Sequence, residues 1–129
     1  MGGEVAGERN GRRRTVLVAG SDESIRSLVI LTLGSDETQV VEAPSAERAV
    51  AMTDEHQPSV AIVDVDLDGG GYEACERIKA AGTDVRTVLL VAKQEYDDHA
   101  GGGDAVDAFL TKPFTSLALL RKVDEVLGD

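Results

Sequence analysis

Residues 59–65 read SVAIVDV, a nearly continuous apolar run with one acidic residue near its end. Its valines and isoleucine favour extended backbone, and a short run without polar alternation is typical of a parallel strand that is buried on both faces. The carboxylate of Asp64 ends the apolar part of the run, and in such a place it needs water, a cation or a metal ion as a partner. The stretch therefore predicts a central strand that ends in a carboxylate.

Four other short apolar runs lie on either side of this one, and segments of helical period separate them. The runs are TVLVA at residues 15–19, QVVEA at residues 39–43, TVLLVA at residues 87–92 and AFLT at residues 108–111. Strict alternation of strand and helix with short connections calls for an α/β domain with right-handed crossovers. We predict a flavodoxin-like, doubly wound five-stranded parallel sheet, a (βα)5 unit with strand order 2-1-3-4-5.

The helical segments carry signals for their own boundaries. Ser21 is a candidate N-cap for the first helix, with Asp22 in the first turn, where the helix dipole favours an acid. The fourth segment, QEYDDHAGGGDAVD at residues 94–107, contains three consecutive glycines, each of which costs about 1 kcal/mol in a helix relative to alanine. We therefore expect a shortened fourth helix. The last helix begins after Thr115 and is predicted to bury Leu117, Leu120, Val123 and Leu127.

The chain has 129 residues, of which 24 are acidic and 13 basic, and a formal net charge of −11. This length suits one domain, which we place at residues 15–129 after a flexible N-terminal leader at residues 1–14. The acidic domain repels phosphate backbones, so we expect no nucleic-acid binding by it. No apolar run approaches the roughly 20 residues of a bilayer span, and the single cysteine excludes an intramolecular disulfide. We expect a cytoplasmic protein without membrane contact.

In a doubly wound sheet the functional crevice lies at the carboxyl ends of the strands, beside the point where the strand order reverses. Because strand five lies two places from strand three in the predicted order, the long side chain of Lys112 can reach Asp64. From the residues alone, this pair is either a structural ion pair or part of a functional site. The residues that close the other strands at this edge include Gly20, Ser21, Asp22, Asp66 and Ala92.

Four stretches of the chain resemble bacterial response-regulator receiver domains of two-component systems. They are SDESIRSL at residues 21–28, SVAIVDVDL at residues 59–67, GYEACERIKA at residues 71–80 and FLTKPF at residues 109–114. Each stretch is weak evidence alone, but in this order and at this spacing they make a specific match. The resemblance implies a CheY-like signalling domain rather than an enzyme, with no reactions beyond its own phosphorylation and dephosphorylation.

The resemblance also implies roles for individual residues. Asp64 corresponds to the phosphoryl acceptor, which takes a phosphoryl group from a histidine kinase or a phosphotransfer protein. Lys112 corresponds to the lysine that contacts the phosphoryl oxygens, and its peptide bond to Pro113 is expected to be cis. A downstream protein is expected to dock on the face formed by strand five and the last helix, and a homodimer is a further assembly that the resemblance allows.

The end of the first strand departs from the family's pattern. Gly20 and Ser21 stand where receivers carry two adjacent acids that help to bind magnesium. Magnesium takes one or two carboxylates together with phosphate oxygens and retained waters. We therefore expect magnesium to bind weakly at most, through Asp64, Asp66 and Asp22, and we expect no organic cofactor.

Two further positions depart from the pattern at the step that follows phosphorylation. Ala92 stands where receivers carry a Thr or Ser whose hydroxyl bonds the phosphoryl group, and Phe109 matches the switch aromatic but lacks a phenolic hydroxyl. Phosphoryl transfer depends on positioning and charge neutralisation, so these losses predict an impaired acceptor at Asp64. The alternative is a phosphorylation-independent pseudo-receiver that acts as a binding module.

A second resemblance favours a different class of protein. The stretch IVDVDLDG at residues 62–69 resembles the DxD opening of haloacid-dehalogenase-type phosphatases, in which Asp64 would be the nucleophile and Asp66 the general acid. That motif normally closes the first strand of a longer domain, whereas here a complete βαβα unit precedes it. We therefore regard the phosphatase as the weaker alternative.

Overall fold

A computed structural model describes residues 14–92 and 104–128 of the chain. Within these ranges the strands are β1 (Arg14–Ala19), β2 (Thr38–Ala43), β3 (Val60–Asp64), β4 (Arg86–Ala92) and β5 (Ala108–Lys112). The helices are α1 (Glu23–Leu33), α2 (Ala46–His56), α3 (Gly71–Ala81) and α4 (Ser116–Leu127). Each end of each strand lies within about one residue of its predicted position.

The strands form one parallel sheet with the order β2-β1-β3-β4-β5. This order confirms the predicted topology and places β3 between β1 and β4. The register pairs Asp64 with Leu90 and Ala92 with Lys112, so β3, β4 and β5 end at the same edge of the sheet. The predicted short fourth helix lies largely outside the described residues.

Helices cover both faces of the sheet, and β3 supplies side chains to each face. Ala61 and Val63 pack in the cluster that includes α2 and α3, whereas Val60 and Ile62 pack in the cluster that includes α1 and α4. All four side chains are fully buried, and full burial of a valine or isoleucine side chain stabilises the fold by about 1.5–3 kcal/mol. The continuous apolar run predicted this two-sided burial.

Of the described helices, α1, α2 and α4 begin at polar side-chain caps, and α1 uses a different cap from the predicted one. The hydroxyl groups of Ser45 and Thr115 accept backbone N–H groups at the starts of α2 and α4. At α1 the N-cap is Asp22, whose Oδ1 accepts the Ser24 N–H at 2.8 Å, so the prediction of Ser21 was wrong. The Ser21 hydroxyl bonds other loops instead. In the described ranges, no helix has both the length and the apolar character needed to span a bilayer.

The buried face of α4 differs from the predicted one. Leu119 and Val123 face the sheet and are buried, but Leu117 is 55% exposed and Leu120 is 40% exposed. Because α4 contains leucines on adjacent faces, a period of 3.6 residues did not decide which face packs on the sheet. The prediction that Leu117 and Leu120 are buried was wrong, and α4 presents an exposed leucine pair.

An ion pair joins α3 to the turn before β5 at the opposite edge of the sheet from Asp64. The Lys79 ammonium lies 2.6 Å from Asp107 Oδ2 and donates to the Val85 carbonyl at 3.0 Å. The same Asp107 oxygen accepts the Thr87 N–H at 2.8 Å. Burial alone would raise the pKa of Asp107, but the hydrogen bonds from Lys79 and Thr87 and the nearby positive charges outweigh burial and lower it.

We expect Asp107→Asn to lower the free energy of unfolding by about 1 kcal/mol near neutral pH. Because the pKa of Asp107 is depressed in the folded state, its contribution is present above the unfolded value of about 3.9 and is lost as the pH falls through the folded pKa. Urea unfolding at several pH values measures the difference, which should shrink in acid. The exposed Asp104→Asn is the control, and a difference that does not change with pH would contradict the assignment.

Candidate functional site

Asp64 is a buried carboxylate at the carboxyl end of the central strand. The residue is 3% exposed, and its Oδ1 accepts the Asp66 N–H at 2.9 Å. The chain then turns sharply, since the Leu67 N–H donates to the Asp64 carbonyl at 3.0 Å and the Val65 N–H donates to the Leu90 carbonyl of β4 at 2.9 Å. The backbone that follows Asp64 is therefore held by β4 and by its own turn.

Lys112 ends β5, and its side chain reaches past the end of β4 to Asp64. The Lys112 Nζ lies 2.9 Å from Asp64 Oδ1 and 3.4 Å from Asp66 Oδ2. The peptide bond between Lys112 and Pro113 is cis, as expected. The structure thus brings together Asp64 and Lys112, which the predicted strand order placed at the same edge of the sheet, and adds Asp66 to the pair.

One ammonium faces two carboxylates in this crevice. Burial alone would lower the pKa of Lys112, but the hydrogen bond with Asp64 and the negative charges of Asp64 and Asp66 outweigh burial and raise the pKa above its ordinary value. Lys112 is therefore positively charged throughout the physiological pH range. Together with the two carboxylates it leaves about one negative charge at the crevice when both acids are ionised.

The three sequence-predicted residues at the end of β1 have separate roles in the structure. Gly20 is buried and donates its N–H to the Ala43 carbonyl of β2 at 3.0 Å. The Ser21 Oγ bonds two neighbouring loops. Asp22 is exposed, and its carboxylate caps α1. None of these three groups contacts Asp64 through a hydrogen bond among the described residues.

Arg26 is a site residue that the sequence analysis missed. Its Nη1 donates to the Gly20 carbonyl at 2.7 Å, and its Nε lies 3.0 Å from Glu42 Oε1 of β2. A guanidinium therefore lies beside the end of β1, one strand away from Asp64. The available signal was Glu42, a charged residue near the carboxyl end of β2, because the carboxyl ends of all strands of a parallel sheet lie at the same edge.

Asp22, Asp64 and Asp66 do not form a three-carboxylate cluster in the described residues. Magnesium prefers several hard oxygen ligands in an octahedral arrangement. In residues 14–92 and 104–128, no group of three or more His, Cys, Asp or Glu side chains is placed to hold a metal ion. Asp64 and Asp66 instead face the Lys112 ammonium, and Asp22 faces the α1 backbone.

Ala92 and Phe109 lie where the resemblance places the residues that respond to phosphorylation. Ala92 ends β4 directly beside Lys112 in the register, and its methyl group cannot donate a hydrogen bond. Phe109 is partly buried and packs against the core cluster that includes α2 and α3. Its packing agrees with an ordinary core role, and its ring offers no hydroxyl.

Comparisons with known proteins identify relatives of this chain. The family model described as a response regulator receiver domain matches residues 16–124. The phosphate regulon transcriptional regulatory protein PhoB of Escherichia coli (strain K12) is 30% identical over 118 residues, which are 88% of this chain and 52% of that protein. The heme response regulator HssR of Staphylococcus aureus (strain JH9) is 26% identical over 113 residues, 86% of this chain and 50% of that protein. The chain thus spans about half the length of these relatives.

A solved structure has the same fold. The chemotaxis response regulator CheY4 of Vibrio cholerae superposes with a TM-score of 0.77 at 24% identity, over 88% of this chain and 98% of that one. The family model covers most of the chain, and the strand order is the one that the alternation of strands and helices predicted. The chain belongs to the response regulator receiver domain family of two-component signal transduction.

Proposed function

We propose that Asp64 accepts a phosphoryl group from a histidine kinase or a phosphotransfer protein, and that the domain then signals through protein contact. The observation that carries this proposal is the 2.9 Å contact between the Lys112 ammonium and Asp64 Oδ1. Among the described residues, the hydrogen bonds that Asp64 accepts both fall on Oδ1. We assign Oδ2 as the oxygen that takes the phosphoryl group.

The transfer is a nucleophilic displacement at phosphorus. Oδ2 of the Asp64 carboxylate attacks the phosphorus, the bond between phosphorus and the donor's imidazole nitrogen breaks, and its electron pair stays on the imidazole. The product is a mixed anhydride between the carboxylate and phosphate. Transfer of this kind depends on positioning and on neutralisation of the phosphoryl charge, and the Lys112 ammonium supplies a neutralising charge beside Asp64.

The donor must itself contribute to alignment, since this chain lacks several polar groups of the family's pattern. Gly20 and Ser21 supply no carboxylate, and Ala92 supplies no hydroxyl. A protein donor orients its phosphohistidine through a docking interface, whereas acetyl phosphate has no such interface. We therefore expect phosphorylation by a partner protein and little or none by the small donor, even with magnesium added.

Electrophoresis in gels that retard phosphoproteins tests the proposal. We expect the tagged chain, isolated from its native cells, to show a retarded band that is absent from Asp64→Asn. The purified chain incubated with acetyl phosphate and magnesium should show little or no added phosphoryl group by intact mass. Asp68→Asn, a change in the same loop that leaves Asp64 intact, is the matched control and should keep the retarded band.

Two outcomes of this experiment would count against an acceptor role. A retarded band that persists in Asp64→Asn would place the phosphoryl group elsewhere. The absence of any retarded band, under conditions in which other receivers of the same cells are retarded, would favour the phosphorylation-independent pseudo-receiver. The family match leaves the phosphatase alternative without support, and turnover of p-nitrophenyl phosphate would be needed to revive it.

The downstream protein, by the same resemblance, docks on the face formed by β5 and α4. The exposed Leu117 and Leu120 of α4 support this assignment, because a pair of exposed leucines on one helix face offers apolar contact area. A homodimer through this face is the second assembly consistent with these leucines.

A further inference from the structure

The hydroxyl group of Ser21 joins the ends of three neighbouring strands. Ser21 follows β1, and its Oγ donates to the carbonyl of Pro44, which follows β2, at 3.1 Å. The same oxygen accepts the N–H of Asp68, which lies in the loop after β3, at 2.8 Å. One small side chain therefore links the loop after Asp64 to both neighbouring strand ends.

The loop that follows Asp64, residues 65–70, rests on the start of α2. The Asp68 carbonyl accepts the Ala46 N–H at 2.8 Å, and Ser45 and Asp68 form an isolated parallel bridge. At Gly69, an added Cβ would lie 2.8 Å from the Ala46 Cβ, so the loop backbone and α2 are in close contact. The loop's Leu67 is buried in the core.

The position of this loop determines the geometry of the pair formed by Asp64 and Lys112. The Asp66 N–H bonds Asp64 Oδ1, and the Asp66 carboxylate contacts the Lys112 ammonium. A shift of the loop would therefore move the Asp66 N–H that donates to Asp64. It would also move the Asp66 carboxylate, which is one of the two carboxylates that contact Lys112. A contact that holds residues 65–70 in place therefore also determines the geometry of the contact between Asp64 and Lys112.

We infer that Ser21 is a positioning residue, whose hydroxyl holds residues 65–70 in place where other receivers carry an acid that helps to bind magnesium. A hydroxyl donates one hydrogen bond and accepts another, which matches a carbonyl on one side and an N–H on the other. An ionised carboxylate only accepts, so an acid here could bond Asp68 but would repel the Pro44 carbonyl. The inference goes beyond the proposed function, because it concerns the unphosphorylated domain.

Amide hydrogen exchange on the whole purified chain, with no phosphoryl donor present, tests this role. In Ser21→Ala we expect the Asp68 amide to exchange about tenfold faster, the effect of losing one hydrogen bond of ordinary strength. We expect the NMR signal of the Lys112 ammonium to shift in the same variant. Ser21→Thr keeps the hydroxyl and should restore both properties, and the nearby Ser24→Ala should change neither. Millimolar magnesium should leave the exchange of residues 65–70 in the natural chain unchanged.

Three results would overturn the inference. The first is unchanged Asp68 exchange in Ser21→Ala. The second is slower exchange of residues 65–70 when magnesium is added to the natural chain, because a cation would then hold the loop. The third is an Asp68 amide that exchanges as fast in Ser21→Thr as in Ser21→Ala. This comparison also applies if Ser21→Ala loosens the whole fold, because Ser21→Thr keeps the hydroxyl group. Because no step needs a phosphorylated Asp64, failure here leaves the acceptor role separately testable.

Discussion

Replacing Gly71 by alanine is expected to lower the free energy of unfolding by about 3 kcal/mol. Gly71 begins α3 against the end of β3, and an added Cβ would collide with the Asp64 carbonyl oxygen. It would also lie 2.6 Å from the Val65 Cα and 2.9 Å from the Asp64 carbonyl carbon. These are backbone atoms of the central strand and its turn, so they cannot move aside as a flexible side chain does.

Gly20→Ala is the matched control for this prediction. Gly20 is also buried at the crevice, but an added Cβ there would meet only side-chain atoms, of which the nearest are the Asp64 Cβ and the Ile25 Cγ2 at 3.8 Å. This is ordinary van der Waals contact, so we expect a change within about 0.5 kcal/mol. Urea unfolding of both variants measures the difference. Equal stability of the two variants would show that the α3 start is not fixed by the contact at Gly71.

Lys112→Met should have the second large effect, on both stability and phosphorylation. The change leaves the Asp64 carboxylate buried without its ammonium, and we expect the free energy of unfolding to fall by about 1–3 kcal/mol near neutral pH. Loss of the positive charge that contacts Asp64 should slow the proposed phosphorylation by about 100-fold. Asp64→Asn added to Lys112→Met removes the unpaired charge and should recover part of the lost stability.

The pH dependence of this loss has a definite sign. Because the pKa of Lys112 is raised in the folded state, the stabilisation is complete below the unfolded value of about 10.4 and disappears as the pH rises through the folded pKa. The free energy of unfolding is therefore measured at several pH values for the natural chain, for Lys112→Met and for the double variant. Lys122→Met, in the α4 surface pair with Glu125, is the control and should change stability by less than about 1 kcal/mol. A double variant no more stable than Lys112→Met would contradict the pairing.

The topology of the sheet and the pairing of Asp64 with Lys112 could be predicted from the sequence for a common reason. Short connections and right-handed crossovers leave few arrangements for alternating strands and helices, and a parallel sheet carries all strand ends to one edge. The apolar run through Val63 fixed the central strand, and the lone carboxylate of Asp64 then required a partner. Lys112, at the end of another strand, was a long cation within reach of that edge.

Features that depend on side-chain packing could not be predicted in the same way. Ser21 and Asp22 are both good N-caps, and the choice between them is made by loops that are distant in sequence. Leucines on adjacent faces of α4 satisfy the same helical period, so only the packing of the sheet distinguishes Leu119 from Leu117. The contact of Arg26 with the end of β1 depends on the register of two strands and a helix together.

In the part of the chain that the structure describes, helices cover both faces of the sheet and strands flank β3 on both sides, so the direction of approach to Asp64 is along the strand axis. A reacting group cannot arrive across the broad surfaces of the molecule. Under the proposed function, a phosphoryl donor reaches Asp64 along this direction, on a side chain that extends beyond the surface of the partner protein.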